Sequence, residues 1–415
     1  MQIRSSRRCL FFAVVALVPS LSSSLAGPLQ DSAGNSLQGQ TTVPQAPRSI
    51  ADRSIADLLR PFVDRQTMAG AVTLVATKDK VLSLEAVGWA DIAAKRPMTT
   101  DCLFGIASMC KPMTAAALMI LVDEGRVNVD DTVEKYLPEF KGQMVIAEKD
   151  ADHVLLKKPQ HPLRIRHLLT HTGGLLYQSP MESPTLDRLT LRDAVRSHAL
   201  LPLQFEPGTR SLYSSAGVST AARIVEVIAG VAFEKFMEER LLQPLSMQDS
   251  TFVPTEAQLH RLAKLYRTNA DRSALEETHA ARFSYPLSDR QRQPMPGSGL
   301  FSTASDVAKF CQMILQGGVF EGQRVLSEAA VKTMTSRQTP PEIAANYGFC
   351  WDVGADGCLG HGGSFRTWMT IDTKLGLITI FLAQQDNDWP REDGKNMVPL
   401  FREAAKKLLA AEQRP

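Results

Sequence analysis

The stretch Leu103 to Val127, LFGIASMCKPMTAAALMILVDEGRV, decides how the rest of the chain is read. From Pro112 to Val122 it is almost uninterruptedly apolar, without a cluster of β-branched residues, and Asp123-Glu124-Gly125 closes it. That pattern predicts a helix buried on every side, stopped by Gly125 at its C-terminal end. The core then wraps around this helix. Ser108 and Lys111 stand three residues apart at its start, and residues spaced i, i+3 share one helix face. The first turn also offers unpaired backbone N–H groups and a partial positive charge. A serine hydroxyl is a weak nucleophile without a neighbouring base, and burial lowers a lysine pKa far enough for it to act as one. A tetrapeptide S-x-x-K also arises by chance, with the serine as a helix cap, so its context decides between the two readings.

Length and composition set the frame. A chain of 415 residues with 44% hydrophobic content builds a sizeable core in one large domain or two intertwined ones. Residues 1–26 have the plan of an export signal: Arg4, Arg7 and Arg8, an apolar run Leu10 to Val18, and Ser24-Leu25-Ala26 before Gly27. The run is too short for a permanent membrane anchor. A periplasmic or secreted protein is expected, through the general route or, given Arg7-Arg8, the twin-arginine route. Without those three arginines the 46 basic residues become 43 against 44 acidic ones, which leaves no basic surface for nucleic acid. Residues 27–49, rich in Gly, Ser, Gln and Pro, read as a flexible linker, and order is expected over 50–412. Five cysteines remain after cleavage, and the odd number argues against a complete disulfide framework. A bridge between Cys350 and Cys358 across Gly354 to Gly357 stays open.

Outward from the core helix, Ile55 to Val63 has helical spacing, and Ala71 to Thr77 with Val81 to Val87 form a hairpin signal. From Asn128 to about Ser298 strand signals fade. Helices are predicted over Arg164 to Leu169, Leu189 to His198, Ala216 to Ile228 and Phe233 to Leu242. After a helix over Val307 to Leu315, strands return at Tyr347 to Val353, Thr367 to Asp372 and Leu377 to Ala383, and an amphipathic helix over 396–411 ends the fold. This order implies a sheet assembled from both ends of the chain, with a helical insertion between them and a site where the two meet.

Two further stretches carry chemistry. Tyr213 precedes a helix N-terminus in Tyr213-Ser214-Ser215, either as a packed core ring or as an acid–base group beside an ammonium. In Gly360-His361-Gly362-Gly363-Ser364, paired glycines before a strand allow close approach of a ligand, and N–H groups there suit a developing oxyanion. His167 and His171 have the i, i+4 spacing of metal ligands, but Leu168 stands where a zinc protease needs glutamate, so no metal is expected.

Taken in order, Ser108-x-x-Lys111, Tyr213-Ser214-Ser215 and His361-Gly362-Gly363 resemble the S-x-x-K, Y-x-N and K-T-G or H-x-G motifs of the serine β-lactamase and penicillin-binding-protein superfamily. Further stretches, among them Gly88-Trp89-Ala90-Asp91, Tyr136-Leu137-Pro138, Ile165 to Leu175 and Gly299 to Thr303, look like its class C branch, so the likeness runs from about residue 52 to 410. The resemblance implies an α+β fold: an antiparallel sheet flanked by N- and C-terminal helices, with a mostly helical subdomain over roughly 112–298. It implies Ser108 as nucleophile, Lys111 and Tyr213 as its proton partners with the base role open between them, and the N–H groups of Ser108 and Ser364 as the oxyanion hole. Ser215, His361, Gly362 and Gly363 would line the substrate site. No cofactor is implied, and the partner is a small ester or peptide.

Two departures matter. Ser215 replaces the usual Asn, removing an amide that would hold a substrate amide and Lys111. His361 replaces lysine, and a histidine is at most partly charged near pH 7. Histidine with glycine is the pattern of many family VIII carboxylesterases. The expectation is therefore an exported serine hydrolase acting on esters of small or medium acyl chains. A D-aminopeptidase or carboxypeptidase, a weak β-lactamase, an acyl transferase, and an inactive relative that binds cell-wall fragments are the rivals.

Overall fold

The computed structural model describes residues 54–386 and 389–414, so the expectations for residues 1–49 lie outside the described residues. Seven antiparallel strands form the central sheet, in the order Asp352–Val353, Cys358–Gly363, Thr367–Asp372, Leu377–Ala383, Gly70–Ala76, Val81–Asp91, Arg96–Pro97. The two ends of the chain meet in its middle, where Ala71 pairs with Ala383 and Ala76 with Ile378. Both of these strands are buried throughout, so each needs apolar cover on two faces. Alternation along the strand divides the work. Val72, Leu74, Ile378 and Ile380 face the main core, while Ala71, Val75, Leu377 and Phe381 face the helices Ile55–Asp64 and Met397–Glu412.

The helix Lys111–Asp123 is buried along nearly its whole length, and Gly125, at φ +69°, donates to Val122 O at its end. A left-handed residue at that position favours glycine, which is why the apolar run stops there. Helices Ile165–Leu169, Leu191–Ala199, Ser215–Ala229 and Phe233–Met237 occur where they were expected, the last continuing through a wider turn over Glu238–Leu242.

The expectation that strands fade between Asn128 and Ser298 needs correction. Val145–Lys149 pairs with Val154–Lys157, and Tyr266–Thr268 pairs with Leu275–Glu277. Their residues are mostly exposed, so no buried face imposes the apolar alternation by which strands are read. A helix at Glu328–Thr335 also went unread, and the strand expected from Tyr347 is limited to Asp352–Val353. The bridge left open between Cys350 and Cys358 is absent, both thiols being free. The hairpin register explains it. Asp352 faces Gly360 and Val353 faces Leu359, with Gly354 N donating to Cys358 O, whereas Cys350 sits in the turn before this strand, its N–H donating to Leu169 O. Among the described residues no single helix is long and apolar enough to cross a membrane.

Candidate active site

Ser108 lies in a tight turn, Ala107–Cys110, which leads directly into the core helix. Ala107 before it takes φ +48°, a strained conformation for a residue with a Cβ. The neighbouring strand holds it there. Thr367 Oγ1 donates to Ile106 O at 3.0 Å, and a Cβ on Gly363 would lie 2.3 Å from that carbonyl. Only glycine lets the strand Cys358–Gly363 come so close to the turn. His361, Gly362 and Gly363, expected ahead of the strand that begins at Thr367, are thus part of a strand of their own, and the turn between the two starts at Ser364.

Lys111 is fully buried; its Nζ donates to Ser108 Oγ at 3.0 Å and to Gly297 O at 2.6 Å. Burial in surroundings without a carboxylate pushes its pKa down to about 8, and the charge of Arg282 adds to the fall, while the thiols of Cys110 and Cys350 oppose it. Ser215 shares the spot, since a Cβ on Gly297 would touch both Ser215 Oγ (3.3 Å) and Lys111 Nζ (3.4 Å).

Tyr213 is brought to the same place from a hundred residues away. Ser214 caps the helix Ser215–Ala229 by accepting from Gly217 N, which aims the preceding residue back toward Ser108. Lys111 Nζ lies 4.8 Å from the Tyr213 ring centre, and Ser108 is near enough to the phenol to oppose the rise in its pKa. Tyr213 is 40% exposed, yet the protein around its hydroxyl holds the phenol pKa far above its ordinary value; the contact with Ser108 only partly offsets this. The phenol is therefore protonated at neutral pH.

His361 sits beside this group, buried, with its ring 6.3 Å from that of Tyr213. Its Nδ1 lies 2.7 Å from Gly362 O, an acceptor, so Nδ1 carries the proton and Nε2 accepts from Tyr347 Oη at 3.1 Å. Burial and the nearby Lys111 lower its pKa to about 3. The residue in the third-motif position is neutral, with both ring nitrogens already engaged.

Several residues of the site were not identified in advance. His171 packs its ring 4.4 Å from Tyr213 and 5.1 Å from Tyr347, and its Nδ1 accepts from Ser214 N at 3.2 Å. Its spacing from His167 was weighed only for metal. His167 instead accepts from Arg164 N and packs under Gly208, and among the described residues no group of His, Cys, Asp and Glu is arranged to hold a metal. Tyr347 and the carbonyl of Gly297 had no signal in the sequence, since neither belongs to a short motif.

A serine beside a buried amine and a protonated phenol, at the junction of an antiparallel sheet and a helical lobe, defines a serine hydrolase of the β-lactamase and penicillin-binding-protein superfamily. The chain belongs to the Beta-lactamase family, whose model matches residues 55–399. Protein Rv1367c of Mycobacterium tuberculosis is 30% identical over 365 residues, 80% of this chain and 89% of that protein. Esterase EstB of Burkholderia gladioli is 29% identical over 353 residues, 76% of this chain and 86% of its own. The solved structure of EstCE1, a hydrolase with promiscuous acyltransferase activity, matches with a TM-score of 0.70 at 24% identity, over 85% of this chain and 97% of its own, a likeness of fold.

Proposed function

We propose that the protein is a carboxylesterase that forms an acyl-enzyme on Ser108 and releases it to water, with small or medium acyl esters as substrates. The observation that carries this reading is His361. A β-lactam or a D-alanyl peptide presents a carboxylate to the third motif, and a neutral imidazole with both nitrogens engaged has neither charge nor a free donor for it. An ester needs no such partner. The likeness to Esterase EstB supports the same reading.

In the proposed mechanism the neutral amine of Lys111 takes the proton of Ser108 as its Oγ attacks the ester carbonyl carbon. Lys111 is the better base of the two candidates, because its pKa lies near neutrality and that of Tyr213 does not. The carbonyl oxygen becomes an oxyanion held by the N–H groups of Ser108 and Ser364, each such donor worth about 3 kcal/mol. As the C–O bond breaks, the leaving alkoxide takes the phenolic proton of Tyr213, and the Lys111 ammonium beside the Tyr213 ring gives its proton to the phenolate, which leaves the amine neutral, the phenol restored and Ser108 acylated. Water then attacks the acyl carbon by the same route in reverse, freeing the acid and returning the proton to Ser108. We also propose export, on the composition of residues 1–26 alone; amino-terminal sequencing of the mature protein from the cell envelope tests it.

The test of function is kcat/KM for 4-nitrophenyl butyrate, a chromogenic cephalosporin and a D-alanyl-D-alanine peptide. The ester is expected to lead by about 10² or more, the cost of an unpaired substrate carboxylate. Equal or faster turnover of the cephalosporin or the peptide overturns the assignment.

A further inference from the structure

Beside the catalytic group lies a cavity of about 300 Å³ lined by Tyr177, Leu186, Ala280, Arg282, Phe365 and Asp386, with Gln178, Pro184 and Ala281 completing its wall. Two of these side chains tie it to the chemistry. Tyr177 stacks on Tyr213, with ring centres 6.4 Å apart, and Phe365 follows Ser364, whose N–H is assigned to the oxyanion. The guanidinium of Arg282 lies 5.1 Å from the centre of the Phe365 ring, and among the described residues it has no ion pair and no side-chain hydrogen bond. A guanidinium over an aromatic face keeps its charge and retains N–H donors for a further partner. Its charge reaches the site, since it helps to lower the pKa of Lys111.

Arg282 also stands on a rigid base. Its carbonyl accepts from Leu186 N at 3.0 Å. Two residues on, Ser284 donates from both N and Oγ to the buried carboxylate of Asp187, which is closed on its other side by Arg292 Nε at 2.8 Å. A buried ion pair of this kind adds little net stability, but it holds the segment in one arrangement. The backbone that carries Arg282 is therefore held in place, which lowers the ordering cost that a ligand bound there must meet.

We propose that this cavity is an anion subsite and that the preferred esters carry a carboxylate, bound by Arg282, on the part of the substrate that extends from the scissile carbonyl past Ser364 and Phe365. This deepens the esterase reading and rests on it. At the third motif both ring nitrogens of His361 are engaged, whereas the cation of this cavity stands beside Phe365. Asp386 lines the same cavity, so the selectivity comes from the directed donors of Arg282 and not from a uniformly positive field.

The experiment compares mono-4-nitrophenyl glutarate with 4-nitrophenyl valerate, two esters of one leaving group and equal chain length, in the full mature protein at pH 8. The ratio of their kcat/KM values cancels any change in folding or in the pKa of Lys111. The wild type is expected to favour the anionic ester at least about tenfold, and Arg282→Met to lower the ratio by about 10- to 100-fold, the range for losing a hydrogen bond to a charged group. Arg282→Lys should recover part of the loss, Asp386→Asn should raise the ratio, and 0.5 M NaCl should lower it in the wild type. A ratio that Arg282→Met leaves unchanged, with both esters turned over, overturns the subsite alone. Turnover of neither ester by the wild type overturns the esterase reading and the subsite together.

Discussion

Titration of Lys111 sets the pH dependence expected of ester hydrolysis. The amine is a base only when neutral, and with a pKa of about 8 its neutral fraction rises from about one in eleven at pH 7 to about ten in eleven at pH 9. Hence kcat/KM should climb about tenfold between those values, with its midpoint near 8 and a tenfold fall per pH unit further below. The neighbours leave this limb undisturbed, because His361 titrates near 3 and Tyr213 well above the range. Replacing Lys111 with arginine keeps a cation but removes the base, so the limb should vanish and the rate fall by about 10²- to 10⁴-fold. Lys111→Met covers the case in which the larger guanidinium does not fit. The assay is the initial rate of 4-nitrophenyl butyrate hydrolysis from pH 5.5 to 9.5, corrected for spontaneous cleavage, with circular dichroism showing that each variant is folded. A flat wild-type profile between pH 6.5 and 9, or an unchanged limb in Lys111→Arg, would refute the assignment of Lys111 as base.

Other outcomes follow from the same geometry. Ser108→Ala should abolish both ester hydrolysis and labelling by a fluorophosphonate while melting like the wild type; an equal rate removes Ser108 as nucleophile. Tyr213→Phe should lose about 10² or more in kcat while keeping the rising limb near pH 8, and near-normal turnover would return the ring to a packing role. Gly363→Ala puts a Cβ 2.2 Å from Thr367 Oγ1 and 2.3 Å from Ile106 O, a backbone atom that cannot retreat, so it should cost about 1–3 kcal/mol of stability along with most activity. Wild-type activity and melting temperature in that variant would contradict the close approach. His361 contributes to acid sensitivity: its folded pKa of about 3 lies below the unfolded value of 6.5, so its contribution is full above pH 6.5 and declines as pH falls toward 3. At pH 5 the loss is about 2 kcal/mol, from 1.5 units below the unfolded pKa. Urea unfolding at pH 7 and pH 5 should show His361→Asn losing less than the wild type by that amount, and an identical loss would mean that His361 is not buried neutral.

Much of the fold was legible because burial leaves a pattern in the chain. The apolar run after Pro112 and the strands Gly70–Ala76, Thr367–Asp372 and Leu377–Ala383 are buried along most or all of their length, so their apolar runs stand out, and their limits were read to within a residue or two. The exposed hairpin Val145–Lys157 bears no such constraint, and it was missed. His361 and its glycines were placed ahead of the strand Thr367–Asp372, as room for a ligand. Here they instead allow two backbones to touch, a requirement that appears only when strand and turn are placed side by side.

The sequence by itself determined which groups were available: an alcohol and an amine three residues apart on one turn, a phenol before a capped helix, and a histidine where the motif usually has lysine. Only the tertiary structure decided their states. The hydrogen bonding of Lys111, the tautomer of His361 and the placement of the Arg282 guanidinium depend on Gly297, Tyr347 and Phe365, which lie 186, 14 and 83 positions away along the chain. Protonation follows from the dielectric and the hydrogen-bond partners around an atom, and those are properties of neighbours in space, which no local spacing encodes.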